Sequence, residues 1–372
     1  MTTIKKVSAA LLAVGVAAGL SACAPAGSTP AADGDSAATC NVGISMPTRS
    51  LERWINDGEG LKEKLEAADC TVDLQYADNK TDQQISQIQN QVAGGAKILV
   101  VAAIDGQTLG PALEDAASQD VKVIAYDRLI NGTEAVDYYA TFDNYKVGQL
   151  QGQFIEEQLG LADGKGPFNL EPFAGSPDDN NAAFFFAGAW DVLLPYVESG
   201  QLVVPSGKSP ADNDGWKAIG ILGWGSDDAQ AEMDNRLQSF YTGGDKVDVV
   251  LSPNDSLALG IEASLDAAGY APGTDWPLIT GQDADVANVK AILADQQSMT
   301  VWKDTSELGG QVESMIQAIV AGEEVEVNDT ETYDNGTKVV PSYLLDPVVV
   351  AKDDVEPTLV ESGFVKAADI GL

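Results

Sequence analysis

Short apolar runs and helical patterns alternate along the chain after residue 40. Strands are predicted at residues 42–46, 72–76, 98–103, 121–126, 138–142, 168–173, 247–252, 278–280 and 299–302. Several of these runs are continuously apolar, which marks strands buried on both faces, as in parallel sheets. Ile85, Ile88 and Val92 recur at helical spacing behind Thr81, a residue type that caps helices. Residues 51–68, 184–197, 229–241, 256–268 and 306–320 have the same helical character. Repeated βα units predict an open, doubly wound α/β fold. The strands are too many for one sheet of ordinary size, so two such domains are expected. An eight-stranded barrel is the structural alternative, and no tandem repeat is visible.

The N-terminal segment follows another pattern. Lys5 and Lys6 lead an apolar run over residues 7–20. Its length and charge suit a signal peptide; a spanning helix needs about 20 apolar residues. Leu20-Ser21-Ala22-Cys23 resembles the lipobox of bacterial lipoproteins, with Cys23 as the lipidated residue and mature N-terminus. Residues 24–39, rich in Ala, Gly, Ser, Pro and Asp, are expected to form a flexible tether. Export implies an oxidising compartment. The two remaining cysteines, Cys40 and Cys70, each precede a predicted strand. If those strands are parallel neighbours joined by a crossover helix, both cysteines lie at one sheet edge, about 4.8 Å apart, within disulfide reach. A Cys40–Cys70 bridge is predicted, worth roughly 3 kcal/mol in the loop-entropy model.

Composition narrows the chemistry. The 372 residues carry 57 Asp+Glu against 21 Lys+Arg, a net charge of −36, and no histidine. Histidine-dependent nucleophilic triads and His-ligated zinc are excluded. So acidic a surface repels phosphate backbones, which argues against nucleic acid as a partner. No acidic loop has the full spacing of a calcium site, so no metal is expected. The carboxylates admit an enzymatic alternative, a glycosidase using Asp127 and Asp283, or Glu171, as its acid pair.

The segments that follow the strands are polar. Arg49 follows the first, Asp127-Arg128 the fourth, Asp178-Asp179-Asn180-Asn181 the sixth and Asn254 the seventh; Gln282-Asp283 and Lys303 follow the last two. Ligands of open α/β sheets bind outside the carboxyl ends of strands, so two facing sheets would gather these groups into one cleft. Some of these residues also suit helix N-caps, notably Asp105, Asp255, Asp285 and Asp304. The residue types match a polyol. Carboxylates accept from hydroxyls, amides do both, and Arg and Lys donate charge-assisted hydrogen bonds. Trp54 and Trp224 offer flat surfaces for a sugar ring.

A set of segments then carries a family resemblance. These are Ser45-Met46-Pro47-Thr48, Arg53-Trp54, Ala125-Tyr126-Asp127-Arg128-Leu129-Ile130, Tyr139-Ala140-Thr141-Phe142-Asp143-Asn144, Gly175-Ser176-Pro177-Asp178-Asp179-Asn180-Asn181, Thr280-Gly281-Gln282-Asp283-Ala284-Asp285 and Val339-Val340-Pro341-Ser342-Tyr343-Leu344-Leu345. In this order they resemble the periplasmic monosaccharide-binding proteins of ABC transporters, the xylose-binding and multiple-sugar-binding members in particular. The resemblance runs over residues 41–366. It implies a periplasmic binding protein type I fold: two Rossmann-like lobes joined by a three-strand hinge, residues 40–143 plus 283–325 forming the first and 144–282 plus 326–372 the second. It implies sugar contacts from Arg53, Asp127, Arg128, Glu171, Asp179, Asn181, Asn254, Asp283 and Lys303, with Trp54 and Trp224 as stacking platforms. Arg49 stands where a lysine is usual, and the two differ in reach. The implied function is capture of an aldose of the xylose, glucose, galactose or arabinose class and its delivery to an ABC permease, by a monomer without cofactor or catalytic role, lipid-anchored at the outer face of the cytoplasmic membrane. The alternative is a sugar-sensing protein that reports to a membrane receptor. Regulators of the lactose-repressor type share the lobes, but the signal peptide and the acidity argue against DNA.

Overall fold

A computed structural model describes residues 40–372. The signal peptide, the tether and Cys23 lie outside the described residues. In chain order the elements begin with β1 (Asn41–Met46), α1 (Glu52–Ala67), β2 (Thr71–Tyr76), α2 (Thr81–Ala93), β3 (Ile98–Val101), α3 (Gly110–Ala117), β4 (Lys122–Tyr126) and β5 (Tyr138–Phe142). There follow α4 (Asn144–Leu159), β6 (Phe168–Pro172), α5 (Asn181–Ser199), β7 (Leu202–Val203), α6 (Ser226–Phe240), β8 (Val249–Leu251), α7 (Asp255–Ala267) and β9 (Leu278–Ile279). The chain ends with α8 (Val286–Leu293), β10 (Met299–Trp302), α9 (Thr305–Ala321), β11 (Ser342–Leu345), β12 (Val348–Ala351) and α10 (Ala367–Ile370).

The strands assemble into two separate sheets, which rules out the barrel. The first runs β11-β5-β4-β3-β1-β2, all parallel. The second runs β7-β6-β8-β9, also parallel. A parallel bridge from Gln282 to Val301 adds β10 beyond β9, and β12 closes that edge antiparallel to β10. Relative to its own first strand, each sheet therefore has the order 2-1-3-4-5, a doubly wound arrangement with its switch point beside the first strand. Apolar strands such as Ile98–Val101 are buried throughout, because helices cover both faces.

This pairing corrects the expected lobe boundaries. Residues 283–304 remain with the second sheet, because β10 extends it. The segment leading to β11 belongs to the first, because β11 covers the otherwise open ladder of β5. The lobes are thus linked at residues 142–144, 302–305 and 345–348. Thr81 is corrected too: it is the first residue of α2, and its side chain makes no cap. Asp304 does cap α9, accepting from the backbone of Ser306 and Glu307.

Cys40 and Cys70 are bridged, with Cα atoms 4.7 Å apart, because the pairing of Asn41 with Thr71 brings the starts of β1 and β2 together. In the second lobe α4 packs on α5 at Gly148, where a Cβ would run into the Phe185 carbonyl. Close approach of two backbones requires glycine there.

Glu262 of α7 is a buried carboxyl in this lobe without a compensating cation among the described residues. It is 7% exposed, and its Oε1 has no hydrogen-bond partner among the described residues. Burial alone pushes its carboxyl from an ordinary 4.5 up to about 8. A carboxyl raised on folding binds more protons folded than unfolded, so its contribution falls as pH rises between those two values. Urea midpoints measured across that range should decline for the wild type and decline less for Glu262→Gln.

Candidate functional site

The carboxyl ends of the two sheets face a narrow cavity of about 20 Å³. Arg53 and Trp54 enter it from the first turn of α1, and Asp127 and Arg128 from the end of β4. Opposite them stand Asp179 and Asn181 at the start of α5, Trp224, Asn254 at the N-cap of α7, and Asp283. Lys303 reaches in from the crossing segment after β10. Of the residues expected to contact a ligand, all but Arg49 and Glu171 line this one space.

Charge pairing organises it. Arg53 donates from Nε and Nη2 to Asp57 Oδ2 at 2.9 and 2.8 Å, and from Nη2 to Asp127 Oδ2 at 3.0 Å. Its Nη1 reaches Asp283 Oδ1 at 3.4 Å. Lys303 Nζ lies 3.0 Å from Asp283 Oδ1 and 4.0 Å from Asp127 Oδ2. Arg128 Nε is 2.9 Å from Asp179 Oδ2 but out of line for a hydrogen bond, so that contact is an ion pair only. The Arg128 Nη1 donates to the Ala103 carbonyl. Burial by itself would raise the Asp127 carboxyl; Arg53, Lys303 and Arg128 outweigh it and hold the group below the usual range. Burial prevails at Asp179, whose carboxyl is raised although Arg128 opposes it. It prevails likewise at Asp57 against Arg53.

The backbone is fixed at the same places. Asp127, Trp224 and Asp283 have φ of 59°, 57° and 100°, values that side chains other than glycine adopt only where the surroundings enforce them. The enforcement at Asp127 is visible. Its carbonyl accepts from Tyr139 Oη at 2.6 Å, Thr141 Oγ1 at 2.9 Å and Asn181 Nδ2 at 2.6 Å. The Trp224 indole lies against Gly175, where any Cβ would collide with the ring, and its Nε1 donates to Asp179 Oδ2 at 3.2 Å. Phe185 meets it edge-on, 6.3 Å between centroids. Trp54 differs from an open platform: the Arg53 guanidinium sits 4.3 Å over its ring and that of Arg128 5.0 Å.

Two expectations are corrected. Glu171 points away from the cavity into the second lobe, where its carboxylate accepts from Arg236 Nη1 at 3.0 Å, Ser206 Oγ at 2.6 Å and Tyr241 Oη at 2.8 Å. It serves the packing of β6 against α6, since the side-chain alternation along β6 sends it to that face. Arg49 is exposed, with its guanidinium 3.8 Å over the Tyr76 ring and 3.9 Å from Glu59. Conversely, the cavity includes Leu51 and Phe185, which the sequence did not single out, and Gln282, named there only as a polar strand-end residue and not as a sugar contact. Gln282 had a signal, its place directly before Asp283 at a strand end. Asp57 had one too, four residues beyond Arg53 on the same helix face. Phe185 had none, because it sits in an apolar helical run that reads as core.

Residues 42–324 match the family model described as a periplasmic binding protein domain. The chain belongs to this family. It is accordingly an exported binding protein and not an enzyme. The multiple sugar-binding periplasmic receptor ChvE of Rhizobium radiobacter is 52% identical over 327 residues, 88% of this chain and 91% of that protein. The D-xylose-binding periplasmic protein of Escherichia coli is 34% identical, over 88% of this chain and 92% of its own. Among solved structures, an ABC transporter solute-binding protein from Clostridium phytofermentans with bound β-D-glucose superposes with a TM-score of 0.85. It is 48% identical, and the match covers 89% of this chain and 99% of that one.

The corrected roles separate on unfolding. Glu171→Ala leaves the buried Arg236 with Glu232 as its one remaining carboxylate and should cost this binding protein about 3 kcal/mol in urea denaturation. The exposed Arg49→Ala should change stability by no more than about 0.5 kcal/mol.

Proposed function

We propose that the protein captures a neutral aldose monosaccharide of the xylose, glucose, galactose or arabinose class between its lobes and delivers it to an ABC permease. The observation that carries this reading is the lining of the cavity, a dense set of carboxylates, cations and amides closed in by Trp224 and Phe185. The internal ion pairs leave acceptor positions for a ligand, which enters when the lobes part. Asp127 Oδ2 and Asp283 Oδ1 take up the cations, while Asp127 Oδ1 and Asp283 Oδ2 accept no hydrogen bond among the described residues. A carboxylate has about four acceptor positions, so these oxygens remain open to hydroxyl donors. In this reading Asp127, Asp179 and Asp283 accept from the sugar. Arg53, Arg128 and Lys303 donate to it, Asn181 and Asn254 orient it, and Trp224 and Phe185 cover its apolar face. The names of the relatives agree, one being a multiple sugar-binding and another a D-xylose-binding protein, and the Clostridium structure holds β-D-glucose.

Three linking segments make a hinge, and a sugar that bridges the lobes shifts the population to the closed form. The protein acts as a monomer, held at the outer face of the cytoplasmic membrane by lipid on Cys23. The relative named a receptor favours a second reading, in which the same capture step reports to a membrane sensor.

Isothermal titration against xylose, glucose, galactose, arabinose and ribose should give at least one dissociation constant in the micromolar range or tighter. Failure of all five would end the sugar reading. Cys23→Ala should move the protein from the membrane to the soluble fraction of fractionated cells without changing its sugar affinity; a variant still on the membrane would remove the anchor.

A further inference from the structure

Every polar side chain that lines the cavity, Trp54 apart, has a charged or hydrogen-bonding partner within the protein. Two buried atoms nevertheless lack one among the described residues, on Gln282 and on Trp54. Gln282 is 1% exposed and stands where the segment after β9 bridges to β10. Its Nε2 donates to the Pro253 carbonyl at 2.8 Å, which fixes the amide and turns its oxygen the other way. That Oε1 is buried with no hydrogen-bond partner among the described residues, and so is Trp54 Nε1. Buried polar groups in folded proteins are almost always satisfied, so an unmet pair inside a ligand cavity marks places where the ligand supplies the partner. The two needs are opposite: Gln282 Oε1 takes a donor, and Trp54 Nε1 takes an acceptor.

We propose that Gln282 is a specificity-determining contact whose Oε1 accepts from a ligand hydroxyl, with Trp54 Nε1 donating to a ligand oxygen from the opposite lobe. The inference rests on the reading of the cavity as an aldose site and sharpens its substrate class. A hydroxyl donates and accepts, so neutral polyols satisfy both groups. A carboxylate or carbonyl at the Gln282 position sets lone pair against lone pair, and a deoxy carbon leaves the amide oxygen bare. Closure also acquires a condition. Trp54 comes from the first lobe and Gln282 from the second, so closing on an unsuitable ligand buries unmet groups from both sides.

The test is a double-mutant cycle in which the sugar is one of the partners. The aldose that the wild type binds best, and its set of monodeoxy analogues, are titrated into the wild type, Gln282→Met and Trp54→Phe. Methionine keeps the length of glutamine without its amide, and phenylalanine keeps an aromatic ring without the N–H. Gln282→Met should bind the parent aldose at least tenfold more weakly, about 1.4 kcal/mol. One deoxy analogue should lose affinity for the wild type yet bind Gln282→Met as well as the parent sugar does. Trp54→Phe should couple in the same way to one position. Unchanged affinity in Gln282→Met overturns the proposal. So do losses that multiply for every analogue, because they would assign Gln282 a purely structural role through Pro253. A wild type that binds no aldose at all instead sinks the sugar reading itself.

Discussion

The structure depends on a set of charges kept out of water. In a chain of net charge −36, Arg53, Arg128 and Lys303 are gathered in one enclosed space with Asp57, Asp127, Asp179 and Asp283. Removing such ions from solvent costs several kcal/mol each unless they are paired with good geometry. The pairing is shared between lobes. Arg53 on α1 reaches Asp283 beyond β9, and Arg128 after β4 reaches Asp179 ahead of α5. The contacts that neutralise the site are thus also contacts between the lobes, so the electrostatics of the cavity and the closure of the molecule are one problem.

The scaffold serves that arrangement by rigidity. Left-handed backbone at Asp127, Trp224 and Asp283 aims three side chains into the cavity, and it persists because neighbours over-determine it. The Asp127 carbonyl is bound from Tyr139 and Thr141 within its own sheet and from Asn181 across the cleft. One hydrogen-bonded carbonyl therefore ties the conformation of a site residue to the approach of the other lobe. The repeated 2-1-3-4-5 strand order puts carboxyl ends, and so helix starts, on both sides of the space. That supplies the N-cap amide of Asn254 and the Asp179-to-Asn181 turn without special loops.

Much of this was legible in the chain. Continuous apolar runs marked the doubly covered parallel strands, and polar residues just past them marked the cavity. The cysteines bridge because equivalent starts of neighbouring parallel strands must lie close. What escaped has physical causes. β7 spans only two residues, too few for a period to show. The edge strands β11 and β12 take their places through long-range pairing, which no local pattern encodes; β11, with β10, moved the lobe boundaries. Glu171 and Arg49 have the right chemistry in the right neighbourhood. They fail because a side chain's direction, not its position along the chain, decides whether it reaches the cavity.

By itself the sequence determined the α/β class, the two-lobed architecture and the kind of chemistry, since periodicity, charge and residue type are local properties that survive in one dimension. Only the tertiary structure decided which edge each late strand would cover, which carboxylates keep an oxygen for a ligand, which way the Gln282 amide turns, and that Phe185 stands beside them. Those outcomes depend on how groups far apart in the chain share one small, dry volume, where each charge's partner and each amide's direction are set by everything else packed around it.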